Sequence, residues 1–265
     1  MPIAQVNGQR IFFSDSGGNG PAIVFSHGLL MDHEMFAPQV AALSDRYRCI
    51  TWDERGHGKT AGDTLPPFSY YDSANDLVAL LDHLGIQRAV LAGMSQGGYL
   101  SLRCALTQPA RVRALILIDT QAGPEDPGKM AGYRQLVDDW AANGLSDAVA
   151  GIIESTILGE GWPGAEQWKS KWKAWTPANL VGCIQTLASR DDITAKIGAI
   201  SVPTLVLHGD KDAAIPVSAA QYLASTISKA AFIAIQGAGH AANLTHPEPT
   251  NAAIEGFLAR LAAAA

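Results

Sequence analysis

Along the chain, short apolar runs rich in branched residues alternate with longer stretches in which apolar residues recur every three or four positions. The runs are Arg10–Ser14, Ala22–Ser26, Cys49–Trp52, Ala89–Ala92, Ala114–Ile118, Thr204–Leu207 and Ala231–Ile235, each of a length that strands take. Several are apolar on both faces, the pattern of strands covered by helices on each side. Their alternation with helical patterns implies crossover connections and a mostly parallel sheet. Between the runs, Tyr71–Leu84 places Ala74, Leu77, Val78, Leu81 and Leu84 on one helical stripe, with Gly85 as its stop. Gln96–Gln108 and Ala252–Leu261 read as helices in the same way.

The rhythm breaks between about Gly123 and Ile200. No convincing strand occurs there; the region opens on the loop-like Gly123-Pro124-Glu125-Asp126-Pro127-Gly128 and holds Trp140, Trp162, Trp168, Trp172 and Trp175, five of the six tryptophans. We read residues 123–200 as a helical insertion between two strands, with 1–122 and 201–265 forming one α/β domain. The alanine tail, Ala262–Ala265, is expected to fray.

Composition narrows the classes. With 48% hydrophobic and 17% charged residues over 265 positions, the chain has the balance and length of a globular protein with a substantial core. A net charge of −6 without a Lys/Arg cluster gives no field for a phosphate backbone, so nucleic acid is not an expected partner. Cys49, Cys104 and Cys183 are odd in number and lack C-x-x-C spacing, and are expected to be buried thiols in a reducing compartment. Met1 to Phe13 lacks the basic and apolar regions of a signal peptide, and no apolar run is long enough to cross a membrane. A cytoplasmic protein is the expectation; oligomeric state is not legible.

The chemistry begins at Ala89-Val90-Leu91-Ala92-Gly93-Met94-Ser95-Gln96-Gly97-Gly98, a buried strand running into G-x-S-x-G and then a helix. Such a turn holds its serine in a strained conformation with the hydroxyl presented outward, and glycine at the flanking positions leaves room for the backbone. A serine hydroxyl needs a base, and the base needs a partner that fixes its tautomer. His240, on the glycine-rich loop after the last predicted strand, is the base candidate. His33, His83 and His246 lie in helical or surface-like contexts, and His208 at a strand end is a candidate for a supporting role. For the acid, Asp210 and Asp212 follow the run ending at Leu207, and Asp119 follows Ile118; Asp212 is favoured. Loop aspartates otherwise cap nearby amides. Two N–H groups must also face the developing oxyanion. The residue after the nucleophile, Gln96, supplies one, and Leu29 in Phe25-Ser26-His27-Gly28-Leu29-Leu30 supplies the other, with His27 shaping that loop.

His27-Gly28, Asp53-Glu54-Arg55-Gly56-His57-Gly58, Gly93-Met94-Ser95-Gln96-Gly97-Gly98, Gly209-Asp210-Lys211-Asp212 and Gly239-His240, in that order and spacing, closely resemble the α/β-hydrolase superfamily. Within it the chain looks like the branch of small esterases, enol-lactonases and cofactor-free haloperoxidases. The resemblance runs from about residue 3 to 261. It implies a mostly parallel eight-stranded sheet flanked by helices, a helical cap after the sixth strand that sets substrate choice, and no cofactor or metal. It carries the acid role onto Asp212 through the family's Gly-x-x-Asp pattern, and makes Asp53 and Arg55 fasteners of loops beside the site.

Two features depart from that branch. Gln96 replaces the usual Met or Leu and is expected to put an amide side chain near the pocket. Leu29-Leu30-Met31 lacks a proline common in perhydrolases. The reading is therefore hydrolysis of a small, largely apolar ester or lactone through an acyl-enzyme. Carbon–carbon bond hydrolysis, perhydrolysis, or a non-catalytic receptor are the competing uses of the same set. Trp168, Trp172 and Trp175, spaced by four and three, share a helical face; with Trp140 they either pack the insertion onto the sheet or line an apolar acyl or aryl pocket.

Overall fold

A computed structural model describes residues 2–62 and 64–263. Eight strands form one sheet in the order β1-β2-β4-β3-β5-β6-β7-β8: β1 (Ile3–Val6), β2 (Gln9–Asp15), β3 (Ala22–Ser26), β4 (Arg48–Trp52), β5 (Ala89–Met94), β6 (Val112–Ile118), β7 (Thr204–Gly209) and β8 (Ala230–Ile235). β1 pairs antiparallel with β2 and β2 with β4, and every later pairing is parallel. The seven apolar runs fall on β2 to β8. β1 lay outside them because only Ala4 and Val6 of its four residues are buried.

The period of two is visible in the core. Ile23 and Phe25, Val90 and Ala92, Ile116 and Ile118, Leu205 and Leu207 face one layer of helices. Val24, Leu91, Leu115 and Leu117, and Val206 face the other. The central strands thus have no solvent face, which explains their unbroken apolar sequences. The first layer contains α1 (Ala37–Leu43) and α10 (Pro247–Ala263); the second contains α2 (Tyr70–His83), α3 (Gln96–Thr107) and α8 (Val217–Thr226). A short α9 (Ala242–Thr245) precedes α10, which carries the first two residues of the alanine tail; Ala264 and Ala265 lie outside the described residues.

Helix ends follow local chemistry. Ser69 caps α2 in a reciprocal capping box with Asp72. At its other end Gly85 takes φ 67°, and the Gly85 and Ile86 N–H groups return to the Asp82 and Leu81 carbonyls, a Schellman stop that needs a left-handed residue.

Between β6 and β7 lie α4 (Pro127–Asn143), α5 (Asp147–Ile157), α6 (Ala165–Lys173) and α7 (Pro177–Ala188), and no strand occurs there among the described residues. Asp126, Ser146 and Thr176 cap α4, α5 and α7, with Pro127 and Pro177 opening their helices. No helix among the described residues is long and apolar enough to cross a membrane.

Trp172 of α6 is fully buried, and its indole N–H donates to the Leu30 carbonyl at 2.9 Å, fastening the insertion to the loop after β3. Trp172→Ala should cost about 3–5 kcal/mol by cavity formation. Trp172→Phe should cost about 1–3 kcal/mol, chiefly from the orphaned carbonyl. Urea unfolding of both variants checks this, and a loss below about 1 kcal/mol for the alanine variant would contradict the packing role.

Candidate active site

The parallel strands end along one edge of the sheet, where the loops that follow β3, β4, β5, β6, β7 and β8 converge. Ser95 sits between β5 and α3 with φ 48° and ψ −112°, a conformation that L-residues avoid. Its N–H donates to the Ile118 carbonyl at 2.8 Å, and its own carbonyl accepts from the Thr120 hydroxyl at 2.7 Å. The two motif glycines are required by contact: a Cβ at Gly93 would strike the Gly97 carbonyl, and one at Gly97 would strike the Ser26 carbonyl.

His240 Nε2 lies 3.0 Å from Ser95 Oγ, and His240 Nδ1 lies 2.8 Å from Asp212 Oδ2. The other Asp212 oxygen accepts from the Ala214 and Ile215 N–H groups at 2.8 and 3.0 Å. Burial alone would lower the pKa of His240, but the charge and hydrogen bond of Asp212 outweigh it, and the net direction is upward. For Asp212, burial pushes the other way and is outweighed by His240, so its carboxyl stays below the ordinary range. The pair therefore stabilises an imidazolium at the position where a proton from Ser95 would arrive.

The other acidic candidates do different work. Asp210 accepts from the Gly237 N–H at 2.7 Å. Asp119, fully buried, accepts from Gly209 N–H at 2.7 Å and Ala242 N–H at 3.0 Å, tying the end of β7 to the loop that carries His240. Burial raises its pKa to about 8. His208 Nε2 donates to the Ile215 carbonyl at 3.0 Å and lies 3.3 Å from Asp212. His33 opens a short helical turn after β3, as its context suggested, and its N–H and Nδ1 hold Asp53 at 2.7 and 2.8 Å. Asp53 also takes the Lys59 N–H, and Arg55 pairs with buried Asp76.

As the first residue of α3, Gln96 has an N–H with no intrahelical acceptor. The Leu29 N–H belongs to the same peptide unit as the Gly28 carbonyl, which accepts from His27 Nδ1 at 2.8 Å and from Met31 N–H at 3.1 Å. His27 Nε2 accepts from the Glu54 N–H at 2.9 Å, and burial lowers its pKa, keeping the ring neutral.

The Gln96 side chain does not approach the pocket as its polarity suggested. It is buried outside the pocket lining, donating to Glu54 Oε1 at 2.8 Å and accepting from the Tyr70 hydroxyl at 3.2 Å. Glu54 thus touches both loops, one through its N–H and the other through its carboxyl.

Ser95 and His240 form part of the wall of a cavity of about 160 Å³. Leu29 and Met94 flank them, and the roof comes from α4, α5 and α7, including Val137, Trp140, Ile153 and Leu180. Of the four tryptophans expected at a pocket, Trp140 alone lines it. Trp168, Trp172 and Trp175 lie on α6 and just beyond it, which turns toward the β3 and β4 loops instead. Trp168 carries Lys171 4.4 Å above its ring, Trp172 bonds Leu30, and Trp175 meets His57 edge-on at 4.9 Å.

Among the described residues two clusters offer metal-type donors, Asp32-His33-Asp53 and Asp119-His208-Asp212. Most of their atoms are already engaged: Asp32 pairs with Lys171, and the others make the bonds just described, except His208 Nδ1, which has no hydrogen-bond partner among the described residues. The three cysteines are free and buried, and burial raises Cys49 to about 11 and Cys104 to about 12, which suits inert thiols.

A family profile described as the alpha/beta hydrolase fold matches residues 21–247. The chain belongs to the α/β-hydrolase family.

This α/β hydrolase is 31% identical to 3-oxoadipate enol-lactonase 1 of Acinetobacter baylyi over 245 residues, covering 91% of this chain and 89% of that protein. Among solved structures it is similar to the enol-lactonase of Burkholderia xenovorans LB400, with a TM-score of 0.89, 26% identity, and 97% and 100% of the two chains covered. A thermophilic esterase from Thermogutta terrifontis gives a TM-score of 0.88 at 28% identity, covering 97% and 96%.

Two elements of the site escaped sequence reasoning: the Glu54–Gln96 contact and a Glu125–Arg190 ion pair at the cavity wall. Glu54 lies inside a motif already singled out, but nothing local links it to a residue 42 positions away.

Burial raises the Glu54 pKa to about 7, from 4.5 for the free side chain. The native state therefore holds a proton that the unfolded chain has lost between those values, and stability falls as pH rises through that window. Between about pH 5 and about pH 8 the wild type should lose about 2 kcal/mol more than Glu54→Gln. Parallel pH dependences in urea unfolding would contradict this.

Proposed function

We propose that this α/β hydrolase cleaves a carboxylic ester or lactone of a small, largely apolar substrate through an acyl-enzyme on Ser95. The observation that carries the reading is the hydrogen-bonded line from Asp212 through His240 to Ser95, ending in an apolar cavity. Relatives named as an enol-lactonase and an esterase support it.

In this mechanism Ser95 Oγ attacks the carbonyl carbon while His240 Nε2 takes its proton, and Asp212 holds the imidazolium in place. The carbonyl oxygen becomes an oxyanion that accepts from the Leu29 and Gln96 N–H groups. Collapse breaks the ester C–O bond, and the leaving alkoxide takes the proton from His240. A water then gives its proton to His240 and attacks the acyl carbon; the bond from that carbon to Ser95 Oγ breaks, Oγ takes the proton back from His240, and the acid leaves. No metal or cofactor enters these steps. The helices of residues 123–200 act as the cap, with α4, α5 and α7 forming the acyl wall and Trp140 its aromatic part.

Ser95→Ala should lower kcat for p-nitrophenyl butyrate by at least about 10⁴-fold with an unchanged unfolding midpoint. A variant with wild-type rates would end the mechanism, and a Ser95 that a fluorophosphonate labels without any ester turnover would favour a receptor. Within the acid loop, Asp212→Asn should cost about 10³–10⁴-fold in kcat, since the tautomer of His240 is no longer fixed. Asp210→Asn, which touches only the Gly237 amide, should stay within about tenfold. The opposite ranking would move the acid role to Asp210.

A further inference from the structure

The helical insertion leaves and rejoins the sheet at two points that meet. Glu125 stands in the loop before α4 and Arg190 just after α7, and Arg190 Nη1 donates to Glu125 Oε2 at 2.8 Å. The Arg190 side chain is 1% exposed and that of Glu125 10%. Arg190 Nε donates to the Gly123 carbonyl at 2.9 Å, and its guanidinium carbon lies 4.1 Å from the centre of the Tyr99 ring. Its second terminal nitrogen, Nη2, has no hydrogen-bond partner among the described residues.

Glu125 and Tyr99 line the same cavity as Ser95 and His240, whereas no lysine or arginine lines it among the described residues. Most of the remaining wall is aliphatic. A guanidinium buried against such a wall needs an anion, and a carboxylate is the anion whose geometry it fits best. Here the protein supplies that carboxylate from its own chain.

We infer that Glu125 is a specificity-determining residue: it fills the carboxylate position beside Arg190, so the cavity takes uncharged acyl groups and rejects those that carry a carboxylate of their own. This rests on the reading of Ser95 as the acylated residue. An acyl chain ending in a carboxylate would be brought out of water to face a like charge, while Arg190 is already paired with Glu125. Substrate choice would then be set by an ion pair at the cap's hinge as well as by the apolar lining. With Glu125 neutral, the positive charge of Arg190 behind it is no longer cancelled and attracts a substrate carboxylate toward that wall.

The test compares p-nitrophenyl 5-methylhexanoate with p-nitrophenyl hydrogen glutarate, which have acyl groups of nearly the same shape, one neutral and one anionic. The wild type should prefer the neutral ester in kcat/KM by at least about 100-fold. Glu125→Gln keeps an acceptor for Arg190 and should fold, and it should shift the ratio toward the glutarate ester by at least about tenfold. Adding Arg190→Met should cancel that gain, which mere loosening of the hinge would not do.

Calorimetric titration with glutarate provides a readout that needs no turnover: Glu125→Gln should bind it and the wild type should not. A wild type inert toward both esters would overturn the esterase reading and leave this inference to the titration. A charge preference unchanged within about twofold in Glu125→Gln, or no glutarate binding by that variant, would overturn the inference.

Discussion

The tight turn at Ser95 is the constraint on which the rest of the site depends. A left-handed residue between β5 and α3 stores about 1–3 kcal/mol of backbone strain, and the surrounding structure has to hold it. Close contacts at Gly93 and Gly97 and hydrogen bonds to Ile118 and Thr120 do so. The outcome is a hydroxyl raised at the carboxyl edge of the sheet, within 3.0 Å of His240, with the first free N–H of α3 directly behind it.

Around that turn the protein has buried polar groups at considerable cost, and each is used as a fastener between loops that would otherwise move independently. Asp119 joins the β7 end to the His240 loop, Asp53 joins the β3 and β4 loops, and Glu54 joins His27 to Gln96. Burial of the Asp119 and Glu54 carboxyls raises their pKa values to about 8 and about 7. Both Asp119 oxygens accept backbone N–H groups, whereas Glu54 accepts through Oε1 alone and leaves Oε2 without a partner, which fits a carboxyl that burial holds protonated to higher pH. The wall of the cavity formed by α4, α5 and α7 is built on the opposite principle, with mostly aliphatic side chains beside the Glu125–Arg190 ion pair.

Much of the fold was legible because its determinants are local. A strand buried on both faces must be apolar throughout, a left-handed helix stop calls for glycine at residue 85, and the turn at 93–97 admits little else at its glycine positions. The order of the motifs around Ser95, Asp212 and His240 was equally readable, and the structure brings the three together. Contacts between distant segments were not legible. Periodicity placed Trp168, Trp172 and Trp175 on one face but could not say that the face turns to the Leu30 loop and His57 rather than to the cavity. The polarity of Gln96 was visible, yet its burial against Glu54 and Tyr70 depends on a strand end 42 positions away. Nothing in composition joins Glu125 to Arg190 across 65 positions, and β1 is too short and too exposed on one side to stand out.

The central claim is spatial: one hydroxyl, one imidazole and two backbone amides share a reacting centre. A crystal structure of the protein treated with an alkyl phosphonate ester would test this directly, because the adduct imitates the tetrahedral intermediate. The account predicts phosphorus bonded to Ser95 Oγ, with the phosphonyl oxygen about 2.7–3.1 Å from both the Leu29 and Gln96 nitrogens. A phosphonyl oxygen turned away from those amides, or an adduct on any other residue, would contradict it.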